Sequence, residues 1–237
     1  MNMPEATKPV CYYCNVRSKS LFGDLNLGEV TELDLSKTCG MYKKGQKIFE
    51  EGAYPHGLYC VNNGKVKIVQ AGVDGKEQII HLAKNGDIMG YRAILSGDKY
   101  SCSAIALEPS SLCFIPSATF LSMIEKDSSM ALKVIQLLST ELKNAENTIT
   151  NFAQKSVKER LAQSILLLKE SYGFEEDGRT IDLSITREEL ANIVGTARET
   201  VTRLLLDFNK NKSIELIGKK IRILDQEELI KVANVFD

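Results

Sequence analysis

Two groups of residues have the types and spacings that could do chemistry. The first is Arg198-Glu199 followed by Thr202-Arg203. On a helix these four share one face, because residues one turn apart are neighbours. Arginine can donate two hydrogen bonds to guanine O6 and N7, and glutamate can accept from cytosine N4. The plain alternative is a solvated face with a Glu199–Arg203 pair. The second group is the thiols. Cys11 and Cys14 form a C-x2-C pair near the N-terminus, a spacing that serves metal ligation or thiol chemistry. Cys60 and Cys102 lie in apolar, strand-like runs and read as small buried hydrophobes. The two histidines, His56 and His81, form no metal set with carboxylates, and no nucleophile–base pair or phosphate loop stands out.

The elements that must position these residues fall into three stretches. Residues 40–116 are punctuated by glycines and carry short apolar or alternating runs: Lys47–Phe49, Leu58–Val61, Lys65–Val69, Gln78–Leu82, Cys102–Ala106 and Ser111–Ile115. That pattern predicts a β sandwich or small barrel. Asp74-Gly75 suits a hairpin turn. From Ser128 to Phe152 the apolar residues recur every three or four positions without Pro or Gly. The spacing predicts a long amphipathic helix, with length to spare for a seam with a second chain. A domain boundary is expected near 151–155, and a helix over 157–171 follows it.

The last stretch is the most explicit. Thr186-Arg187-Glu188-Glu189 is a capping box opening a helix over 187–194, which Gly195 stops. A second helix is expected over 197–209, with Val201, Leu204, Leu205 and Phe208 buried. Two strands, 214–217 and 220–224, turn at Gly218-Lys219, and Asp225 caps a last helix. This is a winged helix-turn-helix, in which Arg198, Glu199, Thr202 and Arg203 face the major groove. The segment from Arg187 to Arg222 has a net charge of +3, a mild basic patch.

Length and composition set the bounds. The chain has 237 residues, a net charge of −1 and 43% hydrophobic residues, which fits one large or two ordinary soluble domains. No apolar run reaches ~18 residues, so no membrane span is expected. The N-terminus lacks a secretory pattern, so a cytoplasmic protein with six reduced or metal-bound cysteines is expected.

Ile185-Thr186-Arg187-Glu188-Glu189, Ile193-Val194-Gly195, Arg198-Glu199-Thr200-Val201 and Arg203-Leu204-Leu205 together resemble the DNA-binding domain of Crp/Fnr transcription regulators. The order of β domain, long helix and winged helix extends the resemblance over nearly the whole chain. It implies an α+β fold: an N-terminal arm (1–20), a jelly-roll-like β-roll of cyclic-nucleotide-binding type (21–127), a dimerisation helix (128–154) and a winged helix-turn-helix (155–237). It also implies base contacts from Arg198, Glu199, Thr202 and Arg203, and phosphate contacts from Thr186, Arg187 and Lys219. The partners implied are a second copy of the chain, RNA polymerase, and double-stranded DNA bearing a TGTGA-like palindrome. Its half-sites would lie one helical turn, roughly 34 Å, apart. A constitutive regulator without an effector is the alternative, and a cupin-like metalloenzyme a remote one.

For the effector, the family's cyclic-nucleotide pocket takes a Glu after a glycine and an Arg-Ser or Arg-Thr pair for the phosphate. Here Gly90 is followed by Tyr91 and Arg92, and Tyr100-Ser101 stands at the phosphate position. Cyclic AMP is therefore not expected as the ligand. Asp87-Ile88-Met89-Gly90 and Leu112-Cys113-Phe114-Ile115-Pro116 are similar to the oxygen-sensing branch. There, a cysteine at the Cys113 position joins an N-terminal C-x2-C-x5-C run to hold an iron–sulfur cluster. This chain offers Cys11, Cys14 and Cys113, but Ser20 occupies the third N-terminal position, with Cys39 as a substitute ligand. A redox pair of Cys11 and Cys14, haem on His56 or His81, and no sensory role at all remain open.

Overall fold

The computed structural model describes residues 9–72 and 75–234. Residues 1–8 of the arm, and Asp74 of the expected turn, lie outside them. The β domain is built from eight antiparallel strands: β1 Thr38–Tyr42, β2 Lys47–Phe49, β3 Gly57–Asn63, β4 Val66–Ala71, β5 Glu77–Ala83, β6 Ile88–Met89, β7 Ser103–Ala106 and β8 Ser110–Pro116. They form two four-stranded sheets, ordered β1-β8-β3-β6 and β2-β7-β4-β5. Each run expected from the sequence is a strand, shifted by a residue or two at its ends. Two strands, β1 and β6, and three helices go beyond those expectations: α1 Leu27–Ser36, α2 Tyr91–Ser96 and α3 Ser117–Lys126.

The β1-β8-β3-β6 sheet separates two cores. On its inner face Val61 and Leu112 join Phe49, Val66, Ile68, Met89, Tyr100 and Ala104. An aromatic column runs through this interior. Tyr100 stacks on Phe49 at 4.2 Å, Phe49 on Tyr59 at 5.9 Å, and Tyr59 tilts against Phe114 at 5.2 Å. On its outer face Leu58 and Ile115 pack with Cys11, Phe22, Leu33, Phe120, Met130 and Val134. Side chains alternate along a strand, so a residue two positions from Leu58 or Ile115 faces outward too. Cys60 and Cys113 are those residues.

The long helix is α4, Ser128–Gln154. The chain divides into two compact units between Thr140 and Glu141, within this helix. The C-terminal unit continues with α5 Val157–Tyr172, α6 Arg187–Val194, α7 Arg198–Lys210, β9 Ile214–Ile217, β10 Lys220–Ile223 and α8 Gln226–Ala233. Capping boxes open α1 at Asn26/Glu29, α5 at Ser156/Glu159 and α6 at Thr186/Glu189. Each satisfies two of the amides a helix start leaves unpaired, and losing such a cap typically costs ~1 kcal/mol.

Candidate functional site

The helix-turn-helix is assembled as its residue types dictate. Val201, Leu204, Leu205 and Phe208 bury one side of α7, which turns Arg198, Glu199 and Arg203 into solvent. Among the described residues no hydrogen bond or ion pair engages those three side chains, so the Glu199–Arg203 pair does not form. Thr202 is half-buried and its hydroxyl donates to the Arg198 carbonyl at 2.8 Å. Its methyl group and oxygen lone pairs are what it can offer a base edge.

The groups expected at phosphates differ from one another. Arg187, at the first turn of α6, is half-buried with no partner among the described residues, and burial holds its guanidinium pKa below the ordinary value. A cation in that position gains from an incoming anion. Lys219 is exposed at the wing turn, and its carbonyl accepts from the Ile185 amide at 3.0 Å, which ties the wing to the approach into α6. Thr186 is committed to the cap. Its hydroxyl donates to Glu189 Oε2 at 2.8 Å and accepts from the Glu189 amide at 3.1 Å. Two of the basic patch's cations are spent: Lys220 pairs with Glu175, and Arg222 with Asp177 and Glu215.

Gly195 closes the turn between α6 and α7 with φ +70°. A Cβ there would stand 2.4 Å from the Phe152 ring of α4. Arg160 ties the same region together: it donates to the Val194 carbonyl at 3.0 Å and the Lys155 carbonyl at 2.8 Å, and its guanidinium lies over the Phe152 ring. Gly195→Ala therefore meets two obstacles, a left-handed backbone (~1–2 kcal/mol) and a displaced aromatic ring. The expected result is a lower melting temperature for the C-terminal unit, with part of the loss restored in Gly195→Ala/Phe152→Ala. Equal melting of Gly195→Ala and wild type would refute this.

The effector positions are arranged around side chains of the protein itself. Gly90, φ +84°, starts α2, and Tyr91 behind it is buried. Tyr100 is buried, stacks on Phe49 and donates to the Gly57 carbonyl at 3.1 Å. Arg92 and Ser101 are exposed and meet at the Cys102 thiol. Gly90 lies against the Tyr100 ring, which is 3.1 Å from where a Cβ on Gly90 would stand.

The thiols do gather. Cys11, Cys14, Cys60 and Cys113 line one crevice, with Arg17, Ser20, Lys37, Asn62, Val61 and Ile115. Cys11 and Cys14 are brought there by a short 3-10 turn at Cys11–Tyr13. The arm is pinned from several sides. The Cys11 amide donates to Asp34 at 2.7 Å, and the buried Lys37 ammonium bridges Asp34 and the Pro9 carbonyl. Arg17 donates to the carbonyls of Cys11, Phe22 and Gly23. Asn62 directs its amide at the Cys14 sulfur, 3.5 Å away. Burial pushes the Cys11 thiol up to about 11 and the Cys60 thiol up to about 12, and raises Cys113 as well. These are protonated thiols at neutral pH, and a bound metal would displace their protons.

Cys39 is not among the crevice residues. It is the β1 partner of Cys113, with the two sulfurs 2.7 Å apart. Cys102 sits in the inner core, as its apolar surroundings predict. Cys60 packs against the outer core, as its apolar context predicts, and also reaches the crevice. The strand alternation that places Cys60 with Leu58 was the available signal. His56 and His81 are both exposed and neither lines the crevice. Among the described residues no three or more His, Cys, Asp or Glu side chains converge on a single metal ion, and no helix is long and apolar enough to cross a membrane.

Comparison with known proteins agrees with this geometry. A cyclic nucleotide-binding domain family matches residues 40–127, and a Crp-like helix-turn-helix domain family matches 159–232. The chain is 31% identical to the fumarate and nitrate reduction regulatory protein of Vibrio cholerae, over 95% of this chain and 90% of that one. It is 31% identical to the protein of the same name from Escherichia coli, over 94% and 90%. Among solved structures, a Crp/Fnr-family transcriptional regulator from Thermus thermophilus superposes with a TM-score of 0.70 at 27% identity, covering 84% of this chain and 99% of that one. FixK2 from Bradyrhizobium japonicum shares the fold, with a TM-score of 0.76 at 22% identity over 85% and 99%. These relatives are regulators, which leaves the metalloenzyme alternative without support. The exposed, unpaired α7 face and the relatives lead to one conclusion: the chain belongs to the Crp/Fnr family of DNA-binding transcription regulators.

Proposed function

We propose that the protein is an Fnr-like dimeric regulator that reads a TGTGA-like palindrome and responds to a redox or oxygen signal at its β domain. The observation that carries the DNA reading is the row of Arg198, Glu199 and Arg203, exposed and unengaged on a helix whose other face is fully buried. Unpaired arginines held at a helix start suit guanine, and the glutamate suits cytosine. Arg187 and Lys219 flank the row and supply phosphate contacts that fix register rather than sequence. Arg203→Ala is expected to cost ~1–3 kcal/mol on the cognate site and to relax preference at one base pair, read by titrating a panel of single-base variants. Uniform weakening across the panel would instead make Arg203 a phosphate contact.

The dimer reading rests on α4. Ile135, Leu142 and Ile149 recur every seven residues, as do Leu138, Ala145 and Phe152 three positions on. That is an a/d heptad seam. Ile135, Leu142 and Ile149 are 58%, 62% and 68% exposed, whereas Met130 and Val134 on another side of the helix are buried in the protomer's own core. A second copy of the chain is the occupant whose helix matches this seam. Two copies present two α7 helices to the half-sites of a palindrome, and a surface for RNA polymerase is expected beside them.

The sensor reading rests on the thiol crevice. Soft thiolate sets select iron–sulfur clusters, zinc or copper(I). Buried and half-buried cysteines from the arm and the strands, an amide donor on one sulfur and a nearby buried ammonium fit an iron–sulfur cluster, whose net charge such groups offset. A cluster places its thiolates on separate irons, consistent with side chains that share a crevice without converging on one ion. When bound, the cluster supplies a centre whose charge and integrity change with redox state and oxygen. The chain's part is to tether the arm through Arg17, Asp34 and Lys37, so that the state of Cys11 and Cys14 is felt by α1 and the outer core containing Met130 and Val134 of α4. A shift in α4 would then bias the dimer between two arrangements.

A further inference from the structure

Resting on the cluster reading above, we propose that Cys60 is the fourth ligand, so that the metal site is Cys11, Cys14, Cys60 and Cys113, with two ligands from the arm and two from adjacent strands. Three observations carry this. Cys60 and Cys113 are direct partners in the antiparallel β3–β8 register. Such partners have their side chains on the same face of the sheet at neighbouring positions. That face is the outer one, shared with Leu58, Ile115 and Cys11. All four sulfur-bearing residues line the same crevice.

The two other candidates are disposed differently. Ser20 lies in the crevice wall, but its hydroxyl is spent within the arm. It donates to the Arg17 carbonyl at 2.7 Å and accepts from the Phe22 amide at 3.2 Å. Those bonds shape the turn that Arg17 staples, so Ser20 serves the loop that presents Cys11 and Cys14. A serine is also a poor soft ligand beside four thiols. Cys39 stands on the opposite side of Cys113 from Cys60, because β8 lies between β1 and β3. It touches the Cys113 sulfur but is absent from the crevice lining. The row Cys39–Cys113–Cys60 therefore offers two neighbours to Cys113, and only Cys60 opens on the arm that brings Cys11 and Cys14.

The test is anaerobic reconstitution of the full-length protein with ferrous iron and sulfide. Iron, sulfide and zinc are measured per protomer, and the visible absorption spectrum is recorded. Wild type, Cys60→Ser, Cys60→Ala, Cys39→Ala, Ser20→Ala and Cys102→Ala are compared, with thermal unfolding of each as the folding control. Cys102→Ala shows what removing another cysteine of the same domain does. The expected result is stoichiometric iron and sulfide in wild type, Cys39→Ala, Ser20→Ala and Cys102→Ala. Both Cys60 variants should unfold cooperatively, yet lose most of the iron, sulfide and visible absorption. A loaded wild type with equally loaded Cys60 variants would overturn the Cys60 assignment and leave the cluster standing. Loss on Cys39→Ala with retention in the Cys60 variants would transfer the role to Cys39. A wild type that takes up no iron and sulfide, or only zinc, would overturn the cluster reading itself.

Discussion

Leu142→Glu is expected to turn a dimer into a monomer and, with it, to abolish tight binding to a palindromic site. Leu142 is 62% exposed in the protomer, so the substitution takes nothing from the protomer's own core. In the seam it stands at an a position, where two-fold symmetry sets it opposite or next to its own copy. Removing two leucines from such a seam forfeits about 3–6 kcal/mol of apolar burial, at roughly 1.5–3 kcal/mol each. That corresponds to a roughly 10²–10⁴-fold weaker dimer before any repulsion between the two carboxylates is counted. A monomer binds one half-site without the avidity of the second, itself worth on the order of 10²–10⁴. Sedimentation equilibrium should show the monomer at micromolar concentration, and titration should show equal affinity for a palindrome and a lone half-site. Leu142→Met should leave both measurements near wild type. A Leu142→Glu protein that still sediments as a dimer would place the interface elsewhere.

The two halves of the chain were unequally legible. The winged helix could be read almost residue for residue, because its signals are local. Thr186 and Glu189 are three residues apart, and Gly195 follows the last apolar residue of α6. The α7 stripe has the period of its own helix. Even there, the sequence alone suggested a Glu199–Arg203 pair that does not form, since a spacing permits contact without requiring it. In the β domain the short apolar runs were legible as strands, but β1 was not. Its exposed and half-buried residues give no alternation to detect, and its place is set by pairing with β8. The short helix α2 lies in a stretch otherwise read as strands, and α3 fills the gap between that stretch and the long helix. For α1, the Asn26/Glu29 box is the local signal that marks its start.

The metal site shows the limit most clearly. Cys11-x2-Cys14 is a local pattern, visible at once. The neighbourhood of Cys60 and Cys113 is a matter of register between two strands distant in sequence, and register is fixed by the packing of both sheet faces. In sequence terms Cys60 follows Leu58 and Tyr59 and precedes Val61, a context that suits burial on either side. The structure assigns Leu58 and Cys60 to the arm side, and Tyr59 and Val61 to the aromatic interior. The interior beside the cyclic-nucleotide positions is filled by the Tyr100–Phe49–Tyr59 column.

Gly57→Ala is expected to be a severely damaging single-methyl change in the β domain. Gly57 pairs with Pro116 in β8, in the same register as the Cys60–Cys113 pair. A Cβ on Gly57 would lie 2.2 Å from the Ile115 carbonyl oxygen and 2.6 Å from the Phe114 ring. The ring could move at the expense of its packing on Tyr59, but the carbonyl belongs to the β3–β8 ladder and can move only by parting the strands. The Gly57 carbonyl also holds the buried Tyr100 hydroxyl, so a displaced backbone would leave that donor unsatisfied. Overpacking of this kind typically costs ~1–3 kcal/mol, and the immovable carbonyl puts Gly57 at or above the upper figure. A loss of ~3 kcal/mol corresponds to a fall of roughly 6–12 °C in melting temperature. Gly52→Ala is the informative contrast. Gly52 has φ +83° with nothing within 4 Å of a Cβ, so it carries only the left-handed penalty of ~1–2 kcal/mol. Calorimetry should show the Gly57→Ala loss in the β domain's transition, with the winged-helix unit melting as in wild type. Because the β3–β8 register is what sets Cys60 beside Cys113, iron uptake should fall together with the melting temperature. A Gly57→Ala protein that melts with wild type, or above Gly52→Ala, would mean that the two strands can part at this end without consequence.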